Sequence, residues 1–131
     1  MDHAPSLEMQ QRPLGCGMVV TLSTRNPLEA RPNEDAVTAC EVDHESGIVA
    51  VADGAGGHPL PATASRIAVE AINEAARRAG DGARLRTSIM DAFERANAAV
   101  MDLAVGASTT LVAAEIVGDV VRPYHAGDSL I

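Results

Sequence analysis

Three acidic clusters stand where the apolar runs of this chain break off: Asn33-Glu34-Asp35, Asp53-Gly54 and Gly127-Asp128-Ser129. Asp, Asn and Gly gather at strand ends because they make turns, and turn chemistry accounts for any one cluster taken alone. Three such ends together project carboxylates from a rigid frame into solvent, where sites are usually built. The segment Asp53-Gly54-Ala55-Gly56-Gly57-His58 is the most informative. A carboxylate followed by Gly can offer its side chain and the next backbone carbonyl to one hard cation. The later glycines let the loop fold back without obstruction from a Cβ. Carboxylate, carbonyl and water ligands suit Mg²⁺ or Mn²⁺. The segment is not a dinucleotide fingerprint, since Pro59 stands where GxGxxG has its third Gly. His58 is read as capping or orienting the loop, with ligand or acid as the alternative.

The elements that must position these residues follow from periodicity. Residues 18–22, 36–42 and 48–52 read as strands, the last two as a hairpin with 48–52 buried on both faces. From Ala62 a helical period places Ile67, Ala68, Ala71, Ile72, Ala75 and Ala79 on one stripe, ended by Gly80-Asp81-Gly82. A second helix carries Leu85, Ile89, Phe93, Ala96, Val100 and Leu103 on its apolar face and is closed by Gly106. Residues 109–117 and 120–126 read as strands joined by the turn Gly118-Asp119. The order β-β-β-α-α-β-β predicts an α+β fold, antiparallel sheets covered by a helical layer rather than a doubly wound parallel sheet. Residues 1–16, polar and containing Pro5 and Pro13, read as a flexible arm ahead of one domain over 17–131.

Composition narrows the chemistry. The 131 residues suffice for one domain, and 47% are hydrophobic but only 2% aromatic, namely Phe93 and Tyr124. The core must therefore be built from Ala, Val, Ile and Leu. A formal charge of −8 argues against a nucleic-acid partner and is compatible with cation binding. All ten basic residues are Arg, and the absence of Lys excludes a Walker phosphate loop and Schiff-base chemistry. Cys16 and Cys40 form no CxxC and have Leu22 and Ser46, not Arg, six residues on, which excludes a cysteine-nucleophile phosphatase loop. Reduced thiols, no basic-then-apolar leader and no apolar run of about 20 residues predict a cytoplasmic chain without membrane contact.

Four segments carry a resemblance: Arg31-Pro32-Asn33-Glu34-Asp35-Ala36, Val51-Ala52-Asp53-Gly54-Ala55-Gly56-Gly57-His58, Ser108-Thr109-Thr110-Leu111-Val112 and His125-Ala126-Gly127-Asp128-Ser129. In this order, with a helical pair between the second and third, they resemble the NED, VxDGxGGH, GTTL and VGDSR motifs of bacterial metal-dependent serine/threonine phosphatases, the type 2C or PPM family. The resemblance covers nearly the whole chain from about residue 17. It implies an antiparallel β-sandwich flanked by helices, two Mn²⁺ or Mg²⁺ ions and hydrolysis of phosphoserine or phosphothreonine on proteins by a metal-bridging water. By motif position Asp53 would bridge the metals and the Gly54 carbonyl would bind one. Asp35 would hold a metal-coordinated water or the metal itself, with Glu34 beside it. Asp128 would match a weaker third metal site, and Ser108, Thr109 and Thr110 would support the central strand.

The departures from that pattern are specific. Ala30 stands where the family has its phosphate-binding Arg, so Arg31 would replace it, with Arg25 a poorer substitute. Ala55 stands where animal relatives carry a general-acid His, and Leu130 where an Arg follows GDS. Family domains continue through a flap to DG and DN motifs bearing two further metal-binding Asp residues. The chain is accordingly expected to correspond to the N-terminal half of the domain and to be weak or inactive by itself. The implied partners are a phosphorylated protein substrate and a cognate Ser/Thr kinase pathway, with self-association through an exposed half-core. The alternative is a non-catalytic, phosphatase-like interaction domain that binds a cation or a partner protein.

Overall fold

Short apolar runs separated by turns set up antiparallel hairpins, and two long amphipathic segments supply the layer that covers them. The computed structural model describes residues 7–14, 17–24 and 33–131. In chain order the elements are β1 (Leu7–Leu14), β2 (Gly17–Thr24), β3 (Asp35–Asp43), β4 (Ser46–Asp53), α1 (Pro61–Ala79), α2 (Gly82–Met101), β5 (Leu111–Val117) and β6 (Val120–Ala126). β1 and β2 form a two-stranded ribbon, and the larger sheet runs β3-β4-β5-β6, antiparallel throughout. The helical pair connects β4 to β5 and packs on one face of that sheet. This is the α+β, helix-flanked antiparallel arrangement that the sequence predicts. Among the described residues no helix is long and apolar enough to cross a membrane.

The core lies between the helices and one sheet face. Ile48, Ala50 and Ala52 of β4 and Leu111 and Ala113 of β5 meet Ile72, Ala75 and Ala79 of α1 and Leu85, Ile89 and Ala92 of α2. The small side chains let the helices sit close to the sheet. Pro61 opens α1 at a position where the missing N–H costs nothing, and Gly80 ends it at a φ of 69°. Asp81 caps α2 by accepting from the Arg84 N–H at 3.1 Å.

Asp43 ties two elements together. Its carboxylate accepts the N–H of Glu45 at 2.9 Å, closing the β3–β4 turn, and the N–H of Gly82 at 2.9 Å, at the start of α2. The nearby Ser46 hydroxyl and these N–H groups favour the charged form and hold the Asp43 carboxyl below its ordinary 3.8. A depressed folded-state pKa contributes stability that is present above pH 3.8 and is lost as pH falls through the folded value. Asp43→Ala is therefore expected to flatten the acid limb of the stability profile. Urea melts at a series of acid pH values would show this, and a limb parallel to that of the parent would contradict it.

Three details differ from the sequence-based expectation. Residues 7–14, predicted to belong to a flexible arm, form β1, with Met9 opposite Leu22, Gln11 opposite Val20 and Pro13 opposite Met18. These six side chains share one exposed face, and among the described side chains of the ribbon only Leu14 is buried, so β1 tolerates the polar residues that disguise it. The rest of that arm, residues 1–6, 15 and 16, lies outside the described residues. β4 is covered on one face only: Ile48, Ala50 and Ala52 are buried, but Val51 is 49% exposed. With Val37, Val49, Val112 and Ile116 it lines a cleft of about 720 Å³ that β2 borders through Val19, Val20 and Thr21. α2 ends at Met101 rather than near Gly106, because the Leu103 N–H turns back to Val100 O at 3.2 Å and the Ala104 N–H to Met101 O at 3.0 Å, tightening the chain before Ala104 turns left-handed at φ 55°. Leu103 continues the apolar period past the last helical turn.

Candidate functional site

Asp35 is the first residue of β3 and Asp53 the last of β4, and the hairpin register sets them directly opposite each other. The Gly54 N–H donates to Glu34 O at 3.1 Å just beyond them. The pair thus occupies a non-hydrogen-bonded position, where facing side chains come closest, with Cα atoms about 4.5 Å apart. Both carboxylates border the cleft on the sheet face away from the helices. The Asp35 carboxyl is raised above its ordinary value, first by burial, then by the charge and hydrogen bond of Asp53 and by the charge of Glu34. A cation set between two carboxylates so placed would offset their repulsion.

Asp53 is held from behind by the strand that follows the helices. Its N–H donates to Thr110 Oγ1 at 3.1 Å. Its carbonyl accepts from the Thr110 N–H at 2.9 Å and from Thr109 Oγ1 at 2.9 Å. The Ala55 N–H reaches Ser108 O at 3.0 Å, and Gly54 bridges Thr109. The geometry of Ser108, Thr109 and Thr110 is therefore that of a support. Gly54 is enclosed by backbone: a Cβ there would lie 2.3 Å from Pro61 O and 2.8 Å from Glu34 O. Among the described residues nothing donates to the Gly54 carbonyl, which leaves that oxygen available as a ligand. His58 pairs through Nδ1 with Gly106 O at 3.0 Å, and its N–H bonds Ala55 O. It thus fixes the glycine loop to the α2–β5 connection, as the orienting role predicts.

The remaining candidates are distributed unevenly. The Glu34 carboxylate lies over Gly56, whose Cβ position is 2.9 Å from Glu34 Oε2. Asp128 is exposed on the segment after β6, next to Ser129, whose hydroxyl pairs with Thr110 Oγ1 at 2.7 Å. That bond links the GDS segment to the support of Asp53, a connection that no local sequence pattern announces. Arg31, with Ala30 and Arg25, lies outside the described residues. Among the described residues no group of three or more His, Cys, Asp and Glu side chains is arranged to hold a metal. The donor chemistry of Asp35, Asp53 and the free Gly54 carbonyl fits one hard cation. It does not make up a two-metal site.

The model of the protein phosphatase 2C family matches residues 28–131. This chain belongs to that family. Its fold is similar to that of the S. agalactiae serine/threonine phosphatase, with a TM-score of 0.66 and 22% identity over 95% of this chain and 49% of that one. The protein phosphatase 2C chain thus spans about half the length of that solved structure. No curated protein matches it significantly in sequence. The matched region contains the whole of the Asp35–Asp53 hairpin, the glycine loop and the threonine support.

Proposed function

We propose that this chain supplies the Asp35–Asp53 wall of a metal-dependent protein serine/threonine phosphatase site. The observation that carries the reading is the pairing of these two carboxylates across one hairpin, beside a buried glycine with a free carbonyl. Membership of the phosphatase 2C family supports it, and the printed name of the solved relative supplies the serine/threonine class. When bound, Mn²⁺ or Mg²⁺ supplies positive charge against a phosphate dianion and Lewis acidity toward water. The task of the chain is placement. Asp53 and Asp35 hold the charge at one sheet end, Thr109 and Thr110 keep Asp53 from shifting, and Gly54 keeps the approach clear. Glu34 adds negative charge beside Gly56, Asp128 is the candidate for a weaker third cation, and Arg31 is the candidate to meet the phosphate. The substrate is a phosphoserine or phosphothreonine protein, the product of a Ser/Thr kinase.

The second reading is a phosphatase-like interaction domain without turnover that binds a cation or a partner protein. Two measurements test these readings. Isothermal titration is expected to show Mn²⁺ binding in the micromolar-to-millimolar range that disappears in Asp53→Asn, which keeps the shape and removes the charge. Equal affinity in both proteins would remove Asp53 from the site. Hydrolysis of p-nitrophenyl phosphate with Mn²⁺ is expected at background for the 131-residue chain. Robust turnover would mean that the full catalytic set is already present here, and would eliminate the second reading.

A further inference from the structure

Thr110 holds Asp53 on one side and the segment after β6 on the other. Its N–H donates to Asp53 O at 2.9 Å, and its Oγ1 accepts the Asp53 N–H at 3.1 Å. The same hydroxyl makes a second bond, to Ser129 Oγ at 2.7 Å. The segment that carries Ser129 is fitted closely to Thr110. Gly127 turns at a φ of +95°, and a Cβ there would lie 2.9 Å from Thr110 Cγ2 and 3.1 Å from Thr110 Cβ. Gly127 thus meets the methyl side of Thr110, and Ser129 meets its hydroxyl.

The direction of the Thr110–Ser129 bond follows from the protons available. A hydroxyl has one proton to give and two lone pairs to accept with. One lone pair of Thr110 Oγ1 takes the Asp53 N–H, and among the described residues Ser129 is the only other group bonded to that oxygen. Donation by Ser129 would leave the Thr110 proton without a partner. Ser129, unlike Thr110, borders the cleft together with Asp35 and Asp53, so its own proton can turn to the open side. The chain therefore runs from the Asp53 N–H to Thr110 Oγ1 and from the Thr110 O–H to Ser129 Oγ, each bond polarising the next.

We propose that Ser129 is a positioning residue of the Asp35–Asp53 site, acting through Thr110, whose proton it accepts. The inference rests on the reading of that site as a cation site. With Ser129 in place, the Thr110 hydroxyl has one orientation and its lone pair meets the Asp53 N–H. Without it that hydroxyl is free to rotate, and Asp53 loses one of its three bonds to Thr109 and Thr110. Groups that orient a metal ligand from behind tune affinity without touching the ion.

The test compares the full chain with Ser129→Ala, Ser129→Thr and Gly127→Ala, each checked by circular dichroism. Amide hydrogen exchange in the metal-free chain reads the anchoring of Asp53 directly. Ser129→Ala is expected to speed exchange at the Asp53 N–H about tenfold, and Ser129→Thr, which keeps the acceptor, to restore it. Isothermal titration with Mn²⁺ should show about tenfold weaker binding for Ser129→Ala, again restored by Ser129→Thr. Gly127→Ala should reproduce both losses with every hydroxyl retained, because its Cβ pushes the segment off Thr110. It reads the same contact if Ser129→Ala fails to fold. Adding Ser129→Ala to Thr110→Val should weaken Mn²⁺ binding no further than Thr110→Val alone, since the two hydroxyls act as one chain. Unchanged exchange at Asp53 in Ser129→Ala, or additive losses in the double variant, would overturn the proposal. A parent that binds no Mn²⁺ while Asp53 exchange responds as expected would overturn the cation reading of the site and uphold the anchoring role of Ser129.

Discussion

Gly54→Ala is expected to destabilise the fold by about 3 kcal/mol and to abolish Mn²⁺ binding in the protein that remains folded. A Cβ at this position would sit 2.3 Å from Pro61 O, 2.5 Å from Pro61 C and 2.8 Å from Glu34 O. All three are backbone atoms, so no rotamer change relieves the overlap. One of three segments must move: the end of β4, the first turn of α1 or the residues leading into β3. Any of these shifts breaks the Gly54 N–H bond to Glu34 O and pulls Asp53 out of register with Asp35. Gly57 is the control. A Cβ there meets nothing within 4 Å, and Gly57→Ala carries only the backbone cost of a φ of +146°. Urea denaturation should therefore show a much lower midpoint for Gly54→Ala than for Gly57→Ala, with m unchanged. Similar midpoints would mean that the glycine loop is not anchored by this contact.

How far the fold was legible follows from where burial wrote itself into the pattern. α1 and α2 were plain, because a helix packed on a sheet must repeat its apolar stripe over many turns, and Leu85, Ile89 and Val100 do so. The β3–β4 hairpin was plain because Ile48, Ala50 and Ala52 are buried and a turn cluster precedes them. β1 was hidden for the converse reason. Its outward residues Met9, Gln11 and Pro13 have no burial to satisfy, so an exposed ribbon strand reads like loop. Val49 and Val51 misled in the other direction: apolar residues on a cleft face look the same in sequence as residues in a core.

The site divides in the same way. Asp35 and Asp53 could be placed because strand ends and a hairpin register are local matters, fixed within about twenty residues of chain. The support from Thr109 and Thr110 was suggested only by the family resemblance, since it joins positions more than fifty residues apart.

The second large effect is expected in the core, where Ile72→Ala should cost about 4 kcal/mol, near the upper end for such truncations. The usual range is wide because neighbouring side chains differ in how far they can collapse into the space left behind. Among the described residues nine of the fifteen in the core cluster are Ala, which has no rotamer to adjust. Helices and sheet are already close, so the void can be filled only by moving backbone. Ile72 is fully buried on α1, the helix whose first residue, Pro61, presses against Gly54. Loosening α1 should therefore reach the site as well as the core. Ile72→Val, which removes one methylene, is expected to cost about 1 kcal/mol and to leave Mn²⁺ affinity intact. Ile72→Ala should lower both the urea midpoint and the affinity of the fraction still folded. A core that absorbed Ile72→Ala for 2 kcal/mol or less, roughly the lower limit for this change, would show that α1 can settle onto the sheet. The tight coupling drawn between the alanine-built core and the Asp53–Gly54 turn would then fail.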